Sequence, residues 1–135
     1  MKQPLWIEFP EALVMHDYAL TEHGGGQGLR DRAMLESALA RPKNLQAYSR
    51  KRVSLAQLAA AYAFGIARNH PFVDGNKRTA LIVSFAFMEL NRFEIQAAPE
   101  DTYLTFLELA DGKVNERNMA GWLQLHAVPI ERFEK

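Results

Sequence analysis

The chain has 135 residues, 48% of them apolar, with sixteen basic residues balancing sixteen acidic ones and no cysteine. This size suits one folding unit over residues 1–135 with a real core, and the apolar share argues against disorder. The charge balance excludes a nucleic-acid binder by bulk charge, and the missing thiols exclude disulfides, thiolate metal sites and a cysteine nucleophile.

Met1-Lys2-Gln3-Pro4 lacks the apolar run of a signal peptide, and no uninterrupted apolar stretch reaches membrane-spanning length. A cytoplasmic protein with no membrane partner and no direct nucleic-acid contact is therefore expected. After an extended Leu5–Phe9, Pro10 is expected to open a helix to about His23, carrying Leu13, Val14, Tyr18 and Leu20. Gly24-Gly25-Gly26 ends it; without the lysine and spacing of a Walker loop, this run reads as a turn and not a phosphate binder. Asp31 caps a second helix with Met34, Leu35, Ala38 and Leu39 on one side, expected to stop before Pro42. Residues 41–53 read as polar, basic and irregular.

Ser54 caps a third helix to Asn69, with Leu55, Leu58, Tyr62 and Ile66 in one stripe and several alanines permitting close contact. A fourth helix runs to about Leu90, apolar almost all round and therefore buried. Two shorter helices, about Glu100–Ala110 and Asn115–His126, complete an all-α reading, with Trp122 and Leu123 expected on the core. His16, His23 and His126 stand alone and read as structural or surface residues, so no metal cluster is expected.

Between the third and fourth helices lies His70-Pro71-Phe72-Val73-Asp74-Gly75-Asn76-Lys77-Arg78. Gly75 permits backbone geometry that other residues avoid, and Asn76 is a good N-cap for a helix beginning at Lys77. Lys77 and Arg78 then fall among backbone N–H groups that lack intrahelical partners. Cations oppose the helix dipole there, each at a cost of about 0.3–1 kcal/mol, which makes sense if an anion such as phosphate normally occupies the site. An ordinary solvated cap, with Asp74 offsetting the cations, is the alternative. His70 has the chemistry of a general base, since imidazoles titrate near neutral pH, or else simply ends its helix before a proline. Asp74 is a carboxylate suited to Mg²⁺, which favours one or two carboxylates plus phosphate oxygens. Phe72 is expected to anchor the turn in the core.

HPFVDGNKRTA resembles the signature of the Fic/death-on-curing superfamily, in its death-on-curing branch. Trp6-Ile7, His16, Gly24-Gly25, Gly28-Leu29-Arg30-Asp31, Leu35-Glu36-Ser37-Ala38-Leu39 and Arg41-Pro42 also resemble that branch in order and spacing. The resemblance implies a Fic-type helical bundle with the signature loop between two central helices and a small flap that docks the target, at Lys43–Arg52. AMP-transferring relatives read HPFx(D/E)GNGRxxR; this chain has Lys77 in place of the second glycine and Leu81 in place of the last arginine.

The branch therefore implies a protein kinase that uses ATP and Mg²⁺ to phosphorylate elongation factor Tu. His70 would be the base, Asp74 the metal ligand, Gly75, Asn76, Lys77 and Arg78 the phosphate site, and Lys43, Arg50, Lys51 and Arg52 the docking surface. The branch further implies a Phd-like antitoxin whose disordered segment folds as a helix in a groove beside the site. No serine or threonine here has glutamate four residues later, so the inhibitory (S/T)xxxE(G/N) helix of other Fic proteins is missing. AMP transfer and a non-catalytic binding module using the basic stretch between Glu36 and Asp74 are the rival readings.

Overall fold

The computed structural model describes residues 3–131. In chain order its elements are α1 (Phe9–His23), α2 (Arg32–Tyr48), α3 (Leu55–Asn69), α4 (Asn76–Leu90), β1 (Phe93–Ile95), α5 (Pro99–Ala110), α6 (Glu116–His126) and β2 (Ala127–Pro129). Six helices and one short ribbon among the described residues make the all-α bundle expected from the sequence, with the signature loop between α3 and α4.

α3 is the central rod, flanked by α2, α4 and α6 and touched by α5. Its start is fixed by a reciprocal cap: the Ser54 hydroxyl accepts from Gln57 N (3.1 Å), and Ser54 N donates to the Gln57 side chain (2.7 Å). Burial extends well beyond the expected stripe, to Ala59, Ala60, Ala61, Ala63 and Ala67. Gly65 lets α2 come very close: a Cβ there would sit 3.0 Å from Ala38 Cα and Cβ. α4 is exposed only at Lys77, Glu89 and Leu90, so its apolar surface is used on nearly every side.

Phe87 of α4 meets the Tyr62 ring at 5.2 Å and Trp6 at 5.9 Å. The buried Tyr62 hydroxyl accepts from Ile7 N (2.9 Å) and donates to Ile7 O (3.1 Å), fastening the N-terminal segment to α3. Burial holds this phenol well above its ordinary pKa. Trp122 packs against Phe85 and Phe106, and Leu123 is fully buried.

Three expectations change. α2 does not stop before Pro42 but continues to Tyr48. Proline inside a helix loses one hydrogen bond, at a cost of roughly 3 kcal/mol. Pro42 is buried with Leu35, Ala38 and Leu39 on the face of α2 turned to the core, and this packing offsets the loss. Residues 41–53 are therefore helical over most of their length, and no strand forms there.

α1 buries the small Ala12 and Ala19 with His16, while Val14 and Tyr18 are exposed. Helix α1 thus meets the core most closely through Ala12, His16 and Ala19, with Phe9, Leu13 and Met15 partly buried beside them. The ribbon is also new: β1 and β2 pair antiparallel, Phe93 opposite Pro129 and Ile95 opposite Ala127. No helix among the described residues is long and apolar enough to cross a membrane.

Gly65→Ala should test the α2–α3 contact. The added methyl overpacks against Ala38, which outweighs the helix-propensity gain of about 1 kcal/mol. Urea unfolding is expected to show a net loss of about 1–2 kcal/mol with an unchanged m-value.

Candidate active site

The loop from His70 to Gly75 joins the end of α3 to the start of α4. His70 closes α3 in the left-handed region (φ 51°, ψ 55°), which costs a residue with a side chain about 1–2 kcal/mol. Arg30 holds this geometry from outside. Its Nε donates to His70 O (2.7 Å) and its Nη2 to Asn69 O (2.9 Å), placing a cation on the terminal carbonyls of α3. Pro71 O accepts from Arg30 N and Asp31 N, Val73 N donates to Gly28 O, and Leu29 bridges Phe72. The segment beside the signature loop is therefore Gly24–Asp31.

Below the loop, Phe72 is buried and lies parallel to His16, with ring centroids 3.8 Å apart. His16 Nε2 donates to Asp74 O at 2.8 Å. His16 is thus structural, a platform under the loop. Asn76 differs from expectation. Gly75, in left-handed geometry (φ 79°), precedes α4 as its cap, and Asn76 is the first helical residue. Its buried side chain turns back, with Oδ1 accepting from Phe72 N (2.9 Å) and Nδ2 donating to Phe72 O (2.9 Å). Nδ2 also comes within 3.5 Å of His70 Nδ1. Asparagine can supply an acceptor to the N–H and a donor to the carbonyl of one loop residue, and that need places it inside the helix.

The two oxygens of the exposed Asp74 carboxylate accept from Gly75 N (2.9 Å) and Gly26 N (3.3 Å). Gly25 permits this approach, since a Cβ on it would stand 2.9 Å from Asp74 Oδ2. Asp74 is accordingly bound to main-chain amides and not to the cations. Among the described residues neither Lys77 nor Arg78 makes an ion pair. Both line a cavity of about 430 Å³ together with His23, Gly25, His70, Asp74 and Gly75. The N–H groups of Asn76, Lys77 and Arg78 belong to the unpaired first turn of α4. An imidazole, a carboxylate, two cations without an ion pair among the described residues and a helix N-terminus thus share one basin, a combination chemically suited to a phosphate ester.

A second, mostly apolar cavity of about 350 Å³ adjoins it, sharing Lys77 and Arg78 and extending along Leu81, Tyr103 and Phe106. No group of three or more potential metal ligands exists among the described residues. A single carboxylate beside a phosphate site fits Mg²⁺ held chiefly through its ligand's phosphates, the habit of that ion.

The family model described as Fic/DOC matches residues 6–88, which includes every element around the loop. The chain belongs to the Fic/DOC family. Two relatives set it on the Doc side of that family. It is 32% identical over 116 residues to "Protein kinase doc" of Escherichia phage P1, covering 85% of this chain and 90% of that protein. It is 40% identical over 78 residues to "Toxin Doc" of Mycolicibacterium smegmatis, covering 55% of this chain and 57% of that one.

Of the residues named from the sequence, His70, Asp74, Gly75, Asn76, Lys77 and Arg78 come together at this cavity. Lys43, Arg50, Lys51 and Arg52 do not. Lys43 is bound to Glu8 (3.0 Å), and the three-residue basic run lies in the connection leading into α3. α3 spans about 22 Å, so that run and His70 stand at its opposite ends. Arg41 is likewise engaged, with Glu116. Sequence reading passed over the contribution of Arg30, which no local pattern announces because its partners lie about forty residues away.

Asn76→Ala should free the N–H and the carbonyl of Phe72. Losing both bonds to buried groups is expected to cost about 2–3 kcal/mol. Hydrogen exchange would show the Phe72 amide losing protection while amides in mid-α3 change only with global stability.

Proposed function

We propose that this chain is the toxin of a type II toxin–antitoxin system, a protein kinase that passes the γ-phosphoryl group of ATP to a hydroxyl of elongation factor Tu and so arrests translation. The carrying observation is that Lys77 and Arg78 stand unpaired on the first turn of α4 in the cavity that holds His70. The name of the phage P1 relative supports the reaction class, and both names support a toxin with a neutralising partner.

Phosphoryl transfer asks mainly for position and charge. The main-chain N–H groups at the start of α4, with Lys77 and Arg78, bind the phosphates and stabilise charge on the transferred group. His70 takes the proton as the target's oxygen bonds to phosphorus and the bond to the departing diphosphate breaks. Asp74 holds Mg²⁺, which when bound neutralises phosphate charge and helps align the chain of phosphates. Lys77 stands where an AMP transferase has glycine for close backbone approach, which favours the terminal phosphate over the α-phosphate as the group bound in the cradle.

The chain lacks the (S/T)xxxE(G/N) inhibitory motif. A separate antitoxin is therefore the proposed restraint, and the apolar cavity along Leu81, Tyr103 and Phe106 offers a groove for a helix folding on contact.

Incubation with elongation factor Tu and Mg-ATP is expected to add one phosphate by mass, with label carried from γ-³²P and not from α-³²P ATP. Label from the α position would replace the kinase with AMP transfer, and no mass change would favour a binding module. His70→Ala should cut transfer at least 10²-fold, the usual scale for a general base, with the circular dichroism spectrum retained.

A further inference from the structure

We infer that Arg30 is a positioning residue for His70, holding its backbone in the conformation from which the imidazole reaches the cavity. The inference rests on the phosphotransfer reading above. His70 is unfavourably placed twice over. Its φ of 51° is one that side-chain-bearing residues avoid, and among the described non-glycine residues only Arg92 shares a positive φ. Pro71 follows it, and a residue before proline is pushed toward extended backbone. Glycine is the ordinary occupant of such a helix end, but glycine carries no base.

Something must therefore hold the histidine there. Among the described residues the one side chain that bonds to its carbonyl is Arg30, through Nε at 2.7 Å, while Nη2 takes the preceding carbonyl of Asn69 at 2.9 Å. The planar fork satisfies two successive carbonyls at a fixed mutual angle, a geometry that sets the peptide plane and hence ψ of His70. A lysine offers a point charge and cannot define that plane. Arg30 itself is anchored, since its main-chain N–H donates to Pro71 O at 2.7 Å and the neighbouring Asp31 caps α2 through Met34 N. The segment leading into α2 thus sets the loop's first residue directly. Arg30 is not among the residues lining the phosphate cavity, so its influence should fall on turnover and not on nucleotide binding.

The test compares wild type, Arg30→Ala and Arg30→Lys by steady-state transfer and by NMR of ¹³C-labelled protein. Arg30→Ala should lower kcat at least tenfold with KM for ATP within twofold, and move the His70 ¹³Cα and ¹³Cβ shifts from left-handed toward extended values. Arg30→Lys should recover part of both. Wild-type His70 shifts in Arg30→Ala, or an unchanged kcat per folded molecule, would overturn the inference. If Arg30→Ala does not fold, Arg30→Lys decides alone: a reduced kcat with displaced His70 shifts supports the role, and wild-type values reject it. Should wild type transfer no phosphate, the proposed reaction fails, and the NMR comparison still decides whether Arg30 sets His70.

Discussion

The Asn76 side chain, closing on both the N–H and the carbonyl of Phe72, is the constraint around which the site is organised. It ties the first turn of α4 to the middle of the loop that leads into it, so the loop cannot drift relative to the helix. Phe72 transmits that fixity downward, because its ring is trapped against His16 in the core. His16 returns it upward through a bond to the carbonyl of Asp74. A short circuit of three side chains thereby sets where the carboxylate and the cationic helix end stand. Each of these bonds is shielded from water at one partner at least, which makes leaving one unmade expensive.

The charge arrangement around this circuit is asymmetric in a useful way. Among the described residues the cations at the start of α4 make no ion pair, whereas Arg41 and Lys43 on α2 are matched by Glu116 and Glu8. Arg32 is matched within its own helix by Glu36. These three cations of α2 are neutralised by carboxylates, and the pair at the loop is left open. Asp74 could have cancelled it, but its oxygens are directed to Gly75 and Gly26 amides instead.

Much of this was legible in the chain. Asp31 and Ser54 announced their helices because capping is local chemistry, and the loop motif announced its position between two apolar segments. What escaped was non-local. Pro42 reads as a stop on any local scale, yet packing carries α2 six residues further. Asn76 reads as a cap until the N–H and carbonyl of Phe72, four residues back, are seen to need both halves of its amide. β1 and β2 are three residues each and depend on a partner about thirty-five positions away. The glycine run after α1 ends that helix as expected, but its place beside Asp74 and on the cavity wall comes from the docking of Gly28–Asp31 on the loop. The flap expected at Lys43–Arg52 found no strand there for the same reason: α2 had already claimed half of that segment as helix.

The two halves of the site are unequally exposed to mutational loss. The anion-facing half is built largely from peptide N–H groups at the head of α4, which no single codon encodes. The other half, in the proposed reading, hangs on one imidazole perched in an awkward backbone pose. Under that reading a single substitution at His70 would remove turnover while leaving the main-chain cradle in place, so loss of reaction and loss of ligand binding would be separable.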